Sequence, residues 1–256
     1  MAPEYNMMEM MICVASRYLE DGKTVAVGTG APCAAAMLAQ KTNSPKLTIF
    51  FEAGGVAPML PQMPISVGDS RTFFRAIMAA GMTEMMTTCC RGLVDYAFLG
   101  GAQIDKFGNI NSTVVGNYHK PKVRFPGSGG ANDFASFCWQ TLIMTVHSKA
   151  RFVEKCEFVT SPGFLTGAGA REAAGLPEGG PYKIITDLAV MGFDPQTRAM
   201  QVESLHPGVE LDKVKAETGF ELIIPKEIGR TAPPTATELK ILREEVDPLK
   251  LVIGRA

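Results

Sequence analysis

Glu52 closes the most hydrophobic strand-like run of the chain. The stretch LTIFFEAGG, residues 47–55, sets Leu47, Thr48, Ile49, Phe50 and Phe51 directly before a carboxylate, and Ala53, Gly54 and Gly55 directly after it. A carboxylate at the end of a buried strand lies on the rim where α/β sheets bind ligands. The glycines beside it tolerate unusual dihedrals and allow a substrate to approach the backbone. A glutamate that merely solvates a strand end stands as the alternative. A second stretch, FPGSGGANDF (125–134), carries a glycine- and serine-rich loop whose amide N–H groups can converge on developing negative charge. An ordinary glycine-rich turn is the competing account. A third, GGAQIDKFGNINSTVVG (100–116), gathers Gln103, Asp105, Asn109, Asn111 and Ser112 around Gly108-Asn109, which on its own reads as a hairpin-like connection with turn residues.

Several common chemistries are absent from the sequence. The 125–134 loop lacks the Gly-Lys-Ser/Thr of a P-loop, and its glycine spacing does not fit a dinucleotide fingerprint. Ser16, Ser66, Ser128 and Ser161 lack the G-x-S-x-G elbow of a hydrolase. The cysteines at 13, 33, 89, 90, 138 and 156 form no CxxC pair, and His119, His147 and His206 stand in unrelated contexts. No metal site is expected from such a set. The cysteines read as reduced, mostly buried thiols of a cytosolic protein. Arg71 and Arg124 have the chemistry to pair with a carboxylate, but solvated or structural arginine is the better reading of each.

These side chains need a scaffold. Residues 6–20 place Met8, Met11, Ile12, Ala15 and Leu19 on a helical stripe closed by Asp21-Gly22. KTVAVGTG then reads as a short strand, and APCAAAMLAQK as a helix with Pro32 in its first turn. The strand ending at Glu52 follows. Strand–helix–strand order with a continuous apolar run predicts a parallel sheet covered on both faces. VDYAFLGG (94–101), TLIMTV (141–146) and YKIITDLAVMGF (182–193) add strands, while ELDKVKAETGF and PTATELKILREEVDP read as amphipathic helices. The expectation is one α/β domain over residues 1–256, an open and mostly parallel sheet with helices on both faces. Glycine after strand at Gly28, Gly54 and Gly100 marks one rim as its ligand edge.

Composition narrows the class further. The 256 residues are 46% hydrophobic and 20% charged with net charge −1, globular values that give no reason to expect nucleic acid or an anionic membrane as partner. The N-terminus lacks a basic start followed by an apolar core, and no run is long and apolar enough to span a membrane, so a cytoplasmic location is expected. Fifteen methionines, clustered at 7, 8, 10 and 11 and at 78, 82, 85 and 86, read as adaptable helix core or as an apolar face awaiting a partner chain.

In combination the three polar stretches are specific. E-A-G-G, then G-G-A-Q-I-D-x-x-G-N-x-N-S, then G-S-G-G-A-N-D resembles the β subunit of family I coenzyme A transferases, nearest to the glutaconate CoA-transferase type. SVGDSR (66–71), PKVRFPGSGGAN (121–132), VTSPGF (159–164) and LREEVDP (242–248) extend the likeness over nearly the whole chain. The resemblance implies an active site shared with an α subunit in a hetero-oligomer, no permanently bound cofactor, and a coenzyme A thioester as substrate. It implies that Glu52 is the nucleophile, forming first a mixed anhydride and then a glutamyl-CoA thioester, so that CoA changes owner in ping-pong fashion. It assigns Gly129, Gly130 and Ala131 to the oxyanion and thioester loop, with Gly130 as backbone donor, and makes Gly54, Gly55 and Gln103 candidates for lining the site. Dicarboxylic acids are the favoured substrates by resemblance alone. Relatives on this fold without the glutamate are decarboxylases or ring-opening hydrolases, so the runner-up reading is an acyl-CoA hydrolase or decarboxylase using Glu52 as general base. A noncatalytic scaffold subunit is the third reading, opposed by the retained Glu52 and Gly130.

Overall fold

A computed structural model describes residues 4–254, which fall into two compact units: residues up to Phe98 together with those from Pro233 onward, and Leu99–Ala232. The first unit opens with α1 (Met7–Arg17), whose N-terminus is closed by a capping box: Asn6 accepts from the Glu9 N–H, and the Glu9 carboxylate accepts from the Asn6 N–H. Strand β1 (Thr24–Val27) leads to α2 (Ala31–Lys41), whose run of small side chains is buried from Cys33 to Ala39. Strand β2 (Thr48–Phe51) returns parallel to β1, pairing Val27 with Phe51. Two short strands, β3 (Gly55–Val56) and β4 (Met78–Ala79), add antiparallel to it. After α3 (Met82–Cys90), β5 (Tyr96–Leu99) pairs with β1 on its other side, again parallel, giving the order β5-β1-β2-β3-β4.

The second unit begins with two hairpins, the first of them the hairpin-like connection expected around Gly108-Asn109. Strands β6 (Gln103–Ile104) and β7 (Ile110–Asn111) form one, and β8 (Val114–Gly116) and β9 (Pro121–Arg124) the other. Helix α4 (Ala131–Phe137) runs into β10 (Gln140–Met144), and the short α5 (Ala170–Ala173) precedes β11 (Gly180–Ile185), which is parallel to β10. The 182–193 segment is not one continuous strand. It reverses at Thr186–Leu188, where the Thr186 hydroxyl accepts from the N–H groups of Leu188 and Ala189. Strands β12 (Ala189–Phe193) and β13 (Met200–Leu205) follow antiparallel, then α6 (Leu211–Ala216) and β14 (Gly229–Arg230), in the order β14-β13-β12-β11-β10. The expected α/β architecture of parallel strands and helices is present, with antiparallel strands added to each parallel group.

The chain then returns to the first unit. Helix α7 (Ala236–Ile241), capped by Thr235 and continued by a π-helical turn at Leu242–Val246, packs against α1 and α2. Leu239, Leu242 and Val246 are buried there. Arg17 pairs with Glu238 at 2.7 Å, Arg243 with Glu9 at 2.6 Å and Lys41 with Glu245 at 2.9 Å. The Asn6 amide donates to the Ile253 carbonyl at 2.9 Å. Burial alone would raise the Glu9 and Glu238 carboxyls, but their arginine partners and backbone donors hold both below the usual range.

Candidate active site

Glu52 stands one residue beyond Phe51, the last pair of the β1–β2 parallel ladder, and so at the carboxyl edge of its sheet. It is half-buried, in a turn closed by the Gly54 N–H donating to the Phe51 carbonyl at 2.9 Å. The chain then folds back, with Val56 opposite Phe50 and the Ala57 N–H on the Ile49 carbonyl at 2.8 Å. Both glycines are required by this reversal. Gly54 has φ +121°, a region L side chains rarely adopt, and a Cβ there would fall 2.6 Å from the Ala80 carbonyl carbon. A Cβ on Gly55 would fall 2.9 Å from the Thr72 carbonyl carbon. The close approach expected of a substrate is thus made, on these faces, by the protein's own backbone.

The glycine-serine loop belongs to the second unit. Its entry is strapped to the end of the preceding hairpin: the Gly127 N–H donates to the Ser112 carbonyl and the Ser112 hydroxyl to the Gly127 carbonyl, each at 2.9 Å. Gly127 and Gly129 take φ of +97° and +51°, which bends the loop into the start of α4. The Ser128 hydroxyl accepts from the Asn132 N–H in the first turn of that helix at 3.0 Å. Gly130 is the buried N-cap, Gly129 is exposed and Ala131 half-buried.

Arg171, which no local sequence signal marks, secures the other end of α4. It is 3% exposed, and its guanidinium donates to the carbonyls of Ser136 and Gly163 at 3.0 Å each and to that of Ala135 at 3.3 Å. A cation on the last carbonyls of a helix complements both its unpaired acceptors and its dipole. Burial lowers the Arg171 pKa, and its Nε has no hydrogen-bond partner among the described residues.

The G-G-A-Q-I-D motif forms a buried polar network. The Gln103 Oε1 accepts from Asn111 at 2.7 Å and from the Glu157 N–H at 3.2 Å, while its Nε2 donates to the Glu157 carboxylate at 3.1 Å. Gln103 is 7% exposed, with both ends of its amide held within the chain. The Asp105 carboxylate accepts from the N–H groups of Phe107 and Asn109 and from the Asn109 side chain. Burial raises its pKa, and those donors oppose the rise. Asn109 in turn accepts from the N–H groups of Gly163 and Leu165. The turn reading of these residues therefore holds, with the added role of fastening the hairpin to residues 157–165.

The other titratable side chains have structural settings. His147 and His206 are buried, and both bond to Thr186. Burial pushes the His147 pKa down to about 4 and lowers that of His206. Arg71 is ion-paired with Asp69, and Arg124 donates to the Tyr118 carbonyl and lies over the Tyr118 ring, in line with the structural reading of both. Five cysteines are buried and Cys90 is exposed; burial raises the Cys13 and Cys33 thiols to about 12.

The chain thus carries a glutamate on the carboxyl rim of a parallel strand in its first unit and the strapped glycine loop in its second. The chain belongs to the coenzyme A transferase family, whose pattern it matches over residues 8–217. Among curated relatives it is 40% identical over 240 residues to the B-type subunit of the 3-oxoadipate CoA-transferase of Pseudomonas knackmussii, covering 93% of this chain and 92% of the relative. It is 38% identical over 253 residues to the B-type subunit of the glutaconate CoA-transferase of Acidaminococcus fermentans, covering 95% and 93%. The crystal structure of the Acidaminococcus fermentans glutaconate coenzyme A-transferase superposes with a TM-score of 0.95 at 35% identity over the full length of both chains. The decarboxylase AibA/AibB, at 22% identity and TM-score 0.84 over 97% of each chain, shares the fold alone.

Proposed function

We propose that residues 1–256 act as one β-type subunit of a CoA-transferase, moving CoA between an acyl-CoA and a carboxylic acid through a glutamyl-CoA thioester on Glu52. The observation that carries this reading is Glu52 itself, held half-buried by a glycine-dependent turn at the carboxyl end of β2 in a chain 40% identical to the B-type half of a CoA-transferase. A Glu52 carboxylate oxygen attacks the thioester carbonyl and expels CoA thiolate, leaving a mixed anhydride. The thiolate attacks the Glu52 carbonyl of that anhydride, releasing the first acid as its carboxylate and leaving the glutamyl-CoA thioester. The incoming carboxylate reverses both steps and restores Glu52. Each step exchanges one anion for another, so no proton need move. Catalysis then rests on stabilising the tetrahedral oxyanions, the role proposed for the backbone N–H of Gly130 within the Gly129–Ala131 loop. His147 and His206, held inside the fold, are not required by such a scheme.

The partner is an A-type subunit, the substrate a coenzyme A thioester with no resident cofactor, and the acid a dicarboxylate, the class named by both curated relatives. Among the described residues no helix is long and apolar enough to cross a membrane. A cytoplasmic location, where CoA thioesters are supplied, is part of the proposal. The test is to incubate the two-subunit complex with acyl-CoA and no acceptor. This chain should gain the mass of CoA less water at Glu52. Borohydride should reduce that thioester and hydroxylamine should intercept it as a hydroxamate. Glu52→Ala should abolish both adduct and transfer. A parent complex that releases free acid and CoA without ever forming the adduct would replace transfer with hydrolysis, with Glu52 as general base.

A further inference from the structure

Within the second unit, the Arg171 Nε and the Gln140 Oε1 are buried without a hydrogen-bond partner among the described residues. Both residues line one cavity of about 460 Å³. A buried donor or acceptor left unpaired weakens the fold, and a native chain that keeps one in such a place has a use for it. Gln140 opens β10 and Gly180 opens β11, and the two stand opposite each other in the parallel ladder. The cavity therefore lies at the amino ends of these strands. Arg171 reaches α4 there at its last carbonyls, the end remote from the Gly129–Ala131 loop.

The lining is built around these two atoms. Arg171 is 3% exposed, and its terminal nitrogens are committed to the carbonyls of Ala135, Ser136 and Gly163, which leaves the Nε–H as the donor still to be matched. Gly180 keeps the approach to it open: φ is +122°, and a Cβ there would stand 3.5 Å from the Nε and 3.1 Å from the Phe164 ring. The Arg198 guanidinium lies over that ring, 5.0 Å from its centroid, and Trp139 adds a second aromatic wall. Glu172 and Glu178 complete the charged lining, so two guanidinium groups are balanced by two carboxylates.

A ligand that satisfies this lining carries an acceptor for Arg171 beside a donor for Gln140, and little net charge. A plain carboxylate or a phosphate brings acceptors alone and would set an oxygen against the Gln140 oxygen. A carboxylate with an amino or hydroxyl group on the adjacent carbon brings both partners, and the aromatic walls suit an apolar tail. We propose that this cavity is a second ligand site, taking a small α-amino or α-hydroxy acid with an apolar side chain. The site is separate from the chemistry at Glu52 and goes beyond the CoA-transferase reading.

The test is calorimetric titration of the full chain, in complex with its A-type subunit, with L-phenylalanine, L-3-phenyllactate and 3-phenylpropionate. The three share a benzyl group and a carboxylate and differ in the group beside it: ammonium, hydroxyl or hydrogen. Phenylalanine or phenyllactate should bind saturably at one site per chain, the tighter of the two identifying the class. Phenylpropionate should bind roughly tenfold or more weakly, the loss expected when a buried acceptor stays unpaired. Gln140→Met keeps the length of the side chain and removes the unpaired oxygen. It should hold or raise Tm without ligand, and weaken the tighter probe about tenfold. Saturating CoA should leave probe binding unchanged. The proposal is overturned if neither phenylalanine nor phenyllactate binds at millimolar concentrations, in which case solvent alone serves the two atoms. It is equally overturned by phenylpropionate binding as tightly as they do, by a Gln140→Met chain that binds like the parent or loses Tm, or by displacement of the probe by CoA. A complex that binds the probe but never carries a Glu52 adduct defeats the transferase reading and leaves this site standing.

Discussion

Replacing Gly54 with alanine tests whether the backbone wall behind Glu52 sets its reactivity. The added Cβ meets two obstacles. At φ +121° the residue occupies a region nearly reserved for glycine, which costs about 1–3 kcal/mol for any other side chain. It also lands 2.6 Å from the Ala80 carbonyl carbon, and closer still to the oxygen, whereas carbon–carbon contacts settle near 3.5–4.0 Å. The turn and the 78–80 segment must therefore separate by about 1 Å, and a misplacement of that size costs a positioned nucleophile about 10²-fold. The assay is the rate of glutamyl-CoA formation in the two-subunit complex, followed by intact mass well below the calorimetric Tm. Gly54→Ala should lower Tm and slow adduct formation about 10²-fold. Gly68→Ala, at a position with open space and no positive φ, should do neither. A Gly54→Ala enzyme that forms adduct within about three-fold of the parent would refute the claim that this turn positions Glu52.

Other expectations follow from the remaining geometry. Arg171→Met leaves the carbonyls of Ala135, Ser136 and Gly163 buried without their donor, and should lower unfolding stability by about 3–5 kcal/mol in urea titrations, with Arg171→Lys recovering part of the loss. Gly130→Val should reduce kcat about 10²–10³-fold with assembly intact; turnover within a few-fold of the parent would remove the loop from the oxyanion role. Glu52→Asp withdraws the carboxylate by about one methylene and makes room for water, so transfer should fall about 10²-fold while slow acyl-CoA hydrolysis persists. His147 has its pKa lowered from 6.5 to about 4 by burial, so the folded state holds it neutral. Its contribution to stability is whole above the unfolded pKa and declines by about 1.4 kcal/mol per pH unit as pH falls toward the folded value. His147→Gln should flatten that part of the stability–pH profile, and an unchanged slope would exclude it.

Glu52 was legible because both halves of its setting are local: an unbroken apolar strand and a glycine pair that ends it. The glycines also show how such a reading falls short. Their need for space was visible, but the occupants, Ala80 and Thr72, lie some 20 residues on and leave no mark near the turn. Gln103 and Asn109 announced a turn, yet their partners at 157–165 are about 50 residues away, so the network could not be read from spacing. Arg171 was invisible because its partners are all backbone carbonyls, which every residue carries. The break in 182–193 was masked by β-branched residues on both sides of a turn made by a threonine hydroxyl in place of glycine or proline. The methionines divided between the two readings offered for them. Met10, Met11 and Met85 are core, while Met78 and Met82 face outward.

The return of the last segment to α1 and α2 bears on how the chain is made. During synthesis Leu99–Ala232 emerges whole while the first unit still lacks the residues from Pro233 onward. In that interval the cover that Leu239, Leu242 and Val246 give to α1 and α2 is missing, as are Glu238 and Arg243, the ion-pair partners of Arg17 and Glu9. The N-terminal half therefore waits, with apolar helix faces open to chaperones or to aggregation, until the residues from Pro233 onward have emerged. A stop codon or protease cut near residue 233 would leave Glu52 and the 125–131 loop in the polypeptide and still deny the first unit its closure.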